Sequence, residues 1–240
     1  MEKIPALISI GFILTTALTI YFFYRAANYS KRVLWIIGSW LVFQAALAFT
    51  GFYTETRTVP PRFIVAILPP LAAIAIMFSS KKGRSFIQSL DLKWLTILHV
   101  VRIPVELVLF GLFVYKLVPV EMTFEGLNAD ILSGLTVPVI YYLLFYRKRK
   151  LYKFFLAWNI LCLVLLINIV TIAILSAPLP FQQMGFDQPN VGVFLFPFIW
   201  LPSIIVPLVL FSHLVCIYQI VRKQKRINKE NKIERVSYAA

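Results

Sequence analysis

Seven runs of apolar residues, at about 5–24, 34–53, 63–79, 94–118, 131–146, 154–176 and 193–220, follow one another along the chain with short polar segments between them. At ~1.5 Å per residue in a helix, such runs cross or nearly cross a hydrocarbon slab of roughly 30 Å. The composition leaves them no other place to go. Of the 240 residues 60% are hydrophobic and 14% charged, and the mean hydropathy is +0.82, more apolar surface than one water-soluble core encloses. The expected fold class is therefore all-α, a polytopic membrane protein with seven transmembrane helices over residues 1–221 and a basic tail over 222–240.

The charges orient that bundle. Nineteen lysines and arginines fall in the segments after the first, third, fifth and seventh runs, and only Lys3, Arg57, Arg62 and Lys116 fall in the other set. The positive-inside rule then puts the N-terminus outside and the C-terminus in the cytoplasm, which an odd number of spans requires. A multi-pass protein of the plasma membrane is expected. The first run also has the length of a signal peptide, but Lys3 is offset by Glu2 and no small-residue cleavage site precedes Arg25, so it is read as a span. The formal charge of +14 is accounted for by these clusters, and nucleic acid is not an expected partner. The expected partners are the bilayer and, at the seven basic residues of the tail, anionic lipid headgroups.

Function is sought where polar groups lie inside the apolar runs. The fourth run carries His99, Arg102 and Glu106 on one helical face, with Pro104 among them. Proline removes one backbone bond and frees the carbonyl of Val100 beside that face. Ionisable groups at this depth persist only where protein, water or a ligand compensates them. By rise along the helices His213 lies at the depth of His99, and Asn168 near that of Glu106; Gln44 is a weaker addition. The leading expectation is a small-molecule or ion carrier or binding protein, with a polar cavity formed by His99, Arg102, Glu106, Asn168 and His213. In it Arg102 would hold a small anionic substrate, Glu106 a proton or cation, and His99 would relay protons. Two alternatives stand beside it. Arg102 and Glu106 pair at i, i+4 and merely lock helices in an accessory or scaffold subunit, or His99 and His213 ligate a b-type haem in an electron carrier.

Other chemistry has little to stand on. Cys162 and Cys216 lie inside apolar runs, where no disulfide or thiol redox motif is expected. Ser212 and His213 are sequence neighbours pointing about 100° apart on a helix, so they make no catalytic dyad. In outline, seven spans with an external N-terminus resemble microbial rhodopsins and sugar transporters of the SWEET type. Residues 193–220 hold no lysine for a retinal Schiff base, and the proline–glutamine pair of the SWEET relatives is absent, so no family function carries over. Pro197, Pro202 and Pro207 predict a seventh helix bent or broken in its outer half. The 177–190 segment, rich in proline and amides, reads as a lid or a plain connector.

Overall fold

The computed structural model describes residues 4–238, which are helical with no strand among them. Helix α1 (Ala6–Ala26) turns into α2 (Lys31–Phe49) through Asn28 and Tyr29, both at positive φ (52° and 58°). That turn is pinned to the one between the helices Lys81–Ser89 and Leu92–Leu98: Asn28 Nδ2 donates to the Ser89 carbonyl at 2.9 Å, and Asp91 N to that of Ala26 at 3.0 Å. Helix α3 (Ile64–Ser79) bends by 94° into α4 (Lys81–Ser89). Three residues make the bend. Ser80 Oγ caps α4 by accepting from Gly83 N, and Arg84 Nη1 donates to the Phe78 and Ser79 carbonyls left open at the end of α3. A Cβ at Gly83 would stand 2.2 Å from the Met77 carbonyl oxygen, so no larger residue fits.

The 23-residue span Leu92–Val114 crosses the bundle as α5 (Leu92–Leu98), a 3₁₀ turn (His99–Val101) and α6 (Arg102–Val114). The tightening comes just ahead of Pro104, which has no N–H for the Val100 carbonyl. Helix α1 packs on one side of this span, α7 (Ile131–Tyr141) on another, and α9 (Val206–Tyr238) lies alongside α5 and α8 (Tyr152–Leu175). Helix α2 is peripheral and buries only Gln44.

Among the described residues five helices are long and apolar enough to cross a membrane: Ala6–Ala26, Lys31–Phe49, Leu92–Val114, Tyr152–Leu175 and Leu201–Asn228. The third apolar run meets that length only together with α4, across the 94° bend. The fifth, Ile131–Tyr146, is a shorter helix that ends in a π turn. Its start is drawn inward. Lys93 Nζ lies 5.6 Å from the Tyr141 ring, and Arg102 pairs with Asp130, so α7 and α5–α6 are in register and α7 begins level with the middle of its neighbour. Gly134 permits the contact, since a Cβ there would come within 2.8 Å of Ile103 Cγ1 and 3.2 Å of Ile103 N.

The last span departs from its expected start at 193. Residues Gly192–Phe194 form a 3₁₀ turn, and the helix begins only with a π turn at Leu201–Ile205. Pro197 and Pro202 lack the N–H groups a regular outer half would need. The irregular segment is held by two indoles, Trp200 Nε1 donating to the Leu41 carbonyl (3.1 Å) and Trp40 Nε1 to that of Ser203 (3.0 Å). At the other end α9 continues as helix through the basic tail to Tyr238. The 177–190 segment folds back on α6, with Gln188 Nε2 donating to the Phe113 and Val118 carbonyls.

Candidate functional site

Arg102 is 2% exposed and anchors the polar interior. Its Nη1 lies 2.9 Å from Asp130 Oδ1 and donates to the Cys162 carbonyl at 3.2 Å; its Nη2 reaches His213 Nε2 at 3.1 Å. The Asp130 contact is close by distance but misaligned for a hydrogen bond, so Oδ1 is held by charge alone. The ion-pair partner of Arg102 is thus Asp130 at the head of α7, and not Glu106 one turn along its own helix. Asp130 reads from sequence as one of several solvated acids on an outer loop. The signal that could have found it is the shortness of the fifth apolar run, which starts too deep to leave the preceding residue in water.

Because arginine only donates, His213 Nε2 must accept. The other ring nitrogen, Nδ1, faces Asn159 Oδ1 at 3.0 Å, and Asn159 Nδ2 is already donating to the Phe155 carbonyl. The network therefore assigns His213 as neutral, with its proton on Nδ1. His99 stacks on that ring, with centroids 3.8 Å apart and planes 15° off parallel, and meets Trp158 edge-on at 5.7 Å. Both of its nitrogens are buried without a hydrogen-bond partner.

This stacking does not fit a haem. Axial ligation needs iron between two ring nitrogens, each pointing at it in the plane of its ring, whereas these imidazoles meet face to face with no room for a porphyrin. The His213 nitrogens are also taken by Arg102 and Asn159. Among the described residues no group of three or more His, Cys, Asp and Glu side chains could hold a metal ion. Cys162 and Cys216 are free thiols in the interior.

Glu106, 1% exposed, lies one turn beyond Arg102 on α6. Its Oε2 accepts from Asn128 Nδ2 at 2.6 Å; the same amide nitrogen also donates to the Met122 carbonyl, and Asn128 Oδ1 accepts from Asp130 N. The 119–130 segment thus folds inward, and Asn128 supplies the amide partner expected from Asn168. Asn168 is exposed on α8 and donates to the Leu127 carbonyl at 2.9 Å. At 3.6 residues per turn, the nine residues between Asn159 and Asn168 are two and a half turns, which puts them on opposite faces. One amide meets His213 while the other faces out. Gln44 also stands apart, accepting at 2.5 Å from the hydroxyl of Tyr53.

Arg102, Glu106 and Asp130 line one wall of a cavity of about 250 Å³ between α3, α6, α8 and the start of α9. Most of the remaining wall is aliphatic or aromatic, with Asn190 as a further polar group. Asn190 Nδ2 donates to the Ala173 carbonyl, while its Oδ1 is buried and unpartnered. Such a site suits a ligand with an apolar body and a polar head.

The family described as Domain of unknown function (DUF8737) matches residues 59–221, from ahead of α3 into α9. No curated protein and no solved structure matches the chain.

Proposed function

The chain belongs to the DUF8737 family, and since that family is described without an activity, we propose a function from the site itself. The protein is a plasma-membrane protein of seven passes, its N-terminus outside and its C-terminus cytoplasmic. It binds or carries a small molecule or ion in the cavity between α6, α8 and α9, and Glu106 is the group that takes up and releases a proton or cation there.

The observation that carries this reading is a count of charge. One guanidinium faces two carboxylates, and Asp130 at 2.9 Å neutralises Arg102, so the Glu106 carboxylate has no counter-charge of its own. A buried, unpaired carboxylate is expensive enough to hold a proton or to wait for a cation. An anionic substrate on Arg102 is the weaker part of the expectation, because that cation is already matched.

A second reading, a scaffold subunit whose polar residues only lock helices, is favoured by the ties of Arg102 from α6 to Asp130 beside α7, Cys162 on α8 and His213 on α9. The two readings divide the cluster between them: Arg102, Asp130, His213 and Asn159 form the brace, and Glu106 is left over for chemistry.

Dicyclohexylcarbodiimide, a lipid-soluble reagent that adds to protonated carboxyls, tests the division. The expected outcome in membranes is an adduct on Glu106 and none on Asp130, read by peptide mass spectrometry. Glu106→Gln, which keeps an acceptor for Asn128, abolishes the adduct and changes stability by less than about 1 kcal/mol. An unlabelled Glu106, together with a loss of several kcal/mol in Glu106→Gln, would make the carboxyl part of the brace and overturn the proposal.

A further inference from the structure

We propose that the cavity admits a lipophilic amine from the surrounding bilayer and holds its nitrogen on the Glu106 carboxyl. This rests on the reading of the cavity as a binding site and names the class of molecule that fits it.

Open hydrogen-bonding positions give the sign of the head group. Glu106 Oε2 is taken by Asn128, and Oε1 has no partner among the described residues. Asp130 Oδ1 is without an aligned donor, and Asn190 Oδ1 is unpartnered at 1% exposure of its residue. Once the Glu106 proton has passed to an amine these three oxygens all accept, and among the groups lining the cavity the open donor against them is Arg102 Nε. A molecule that brings N–H groups satisfies what the protein leaves unsatisfied, whereas an anion adds acceptors and meets two carboxylates.

The walls decide between an inorganic and an organic cation. Around the polar patch the cavity is lined by side chains such as Val105, Leu109, Ile169 and Val209. A metal ion would lose its hydration there with few ligands in return, and would leave most of the 250 Å³ unfilled. An alkyl or aryl body fills the same space favourably, at about 25 cal/mol for each Å² of apolar surface buried.

The rim points to the route of entry. Leu71 on α3 and Ile167 on α8 both line the cavity and are 38% and 54% exposed on the apolar outer face of the bundle. An amine partitions into the bilayer as the neutral base and reaches the cavity in that form. The Glu106 carboxyl then gives its O–H proton to the nitrogen, making an ammonium–carboxylate pair of unchanged total charge. Asn190 Oδ1 stands as a further acceptor for N–H groups.

Purified full-length protein in lipid nanodiscs is titrated with phenylbutylamine, phenylbutanol and phenylbutyrate, three ligands sharing one apolar body. Thermal stabilisation and calorimetry are the readouts. The amine is expected to bind at least about tenfold more tightly than the alcohol, a preference lost in Glu106→Gln. The acid is not expected to bind. In Ala173→Leu, which fills part of the cavity while leaving the polar groups in place, affinity for amine and alcohol falls together. If the alcohol or acid matches the amine while Glu106 still takes the carbodiimide, the proposal fails and the binding-site reading stands. If no ligand binds and Glu106 stays unlabelled, both fail.

Discussion

Taking away one member of the Arg102–Asp130 pair strands the other as an isolated buried charge. Arg102→Met or Asp130→Asn alone is therefore expected to lower stability by about 3–5 kcal/mol. The double variant Arg102→Met/Asp130→Asn is expected to recover most of the loss, because neither charge of the pair then remains. Chemical unfolding in bicelles measures the cycle, and losses that simply add would dissolve the pair as a coupled unit. Much of this cluster is legible in the sequence. His99, Arg102 and Glu106 share a face by spacing, and reckoning depth along two helices puts His213 beside His99, where the rings stack. What depth cannot give is direction around a helix. Asn168 sits at a suitable height on the outward face of α8, and the amide on Glu106 comes instead from Asn128, in a loop whose inward course no periodicity announces.

Among the elements, α7 shows best how packing overrides length. An apolar helix shorter than its neighbours is held in register by close contact, and a Cβ at Gly134 would meet Ile103 at 2.8 Å. Gly134→Ala is expected to cost about 1–3 kcal/mol, since its new methyl group meets Ile103 side chain and backbone together. Gly11→Ala, at a helical position with nothing within 4 Å, is expected to be neutral or to gain about 0.5–1 kcal/mol from helix propensity. Thermal unfolding of the two variants side by side checks the contrast, and equal behaviour would mean that α7 is not seated by this contact. Six of the seven apolar runs coincide with helices whose ends lie within a few residues, while α4 answers to no run. The exception is the last, where hydropathy continues through 193–200 but Pro197 and Pro202 withhold the N–H groups that a helix requires.

Over the whole molecule, nineteen basic residues on one side against four on the other predict its orientation. A fluorescent-protein fusion after Ala240 is expected to mature and glow in the cytoplasm, and an alkaline phosphatase fusion at the same point to stay inactive. An active phosphatase there would reverse the orientation or change the number of passes. Chemical identity is the part that hydropathy and charge do not carry. It depends on which polar atoms are left without partners, and Asn190 Oδ1 and Glu106 Oε1 are distinguished only once the side chains have been placed.

The ties of Arg102 also have an order in time. A ribosome delivers Arg102 before Asp130 has been translated and 111 residues before His213. The fourth hydrophobic segment is thus made ahead of both the carboxylate that pairs with its arginine and the histidine that accepts from it. The complete set of Arg102 ties cannot form until the last segment has been synthesised.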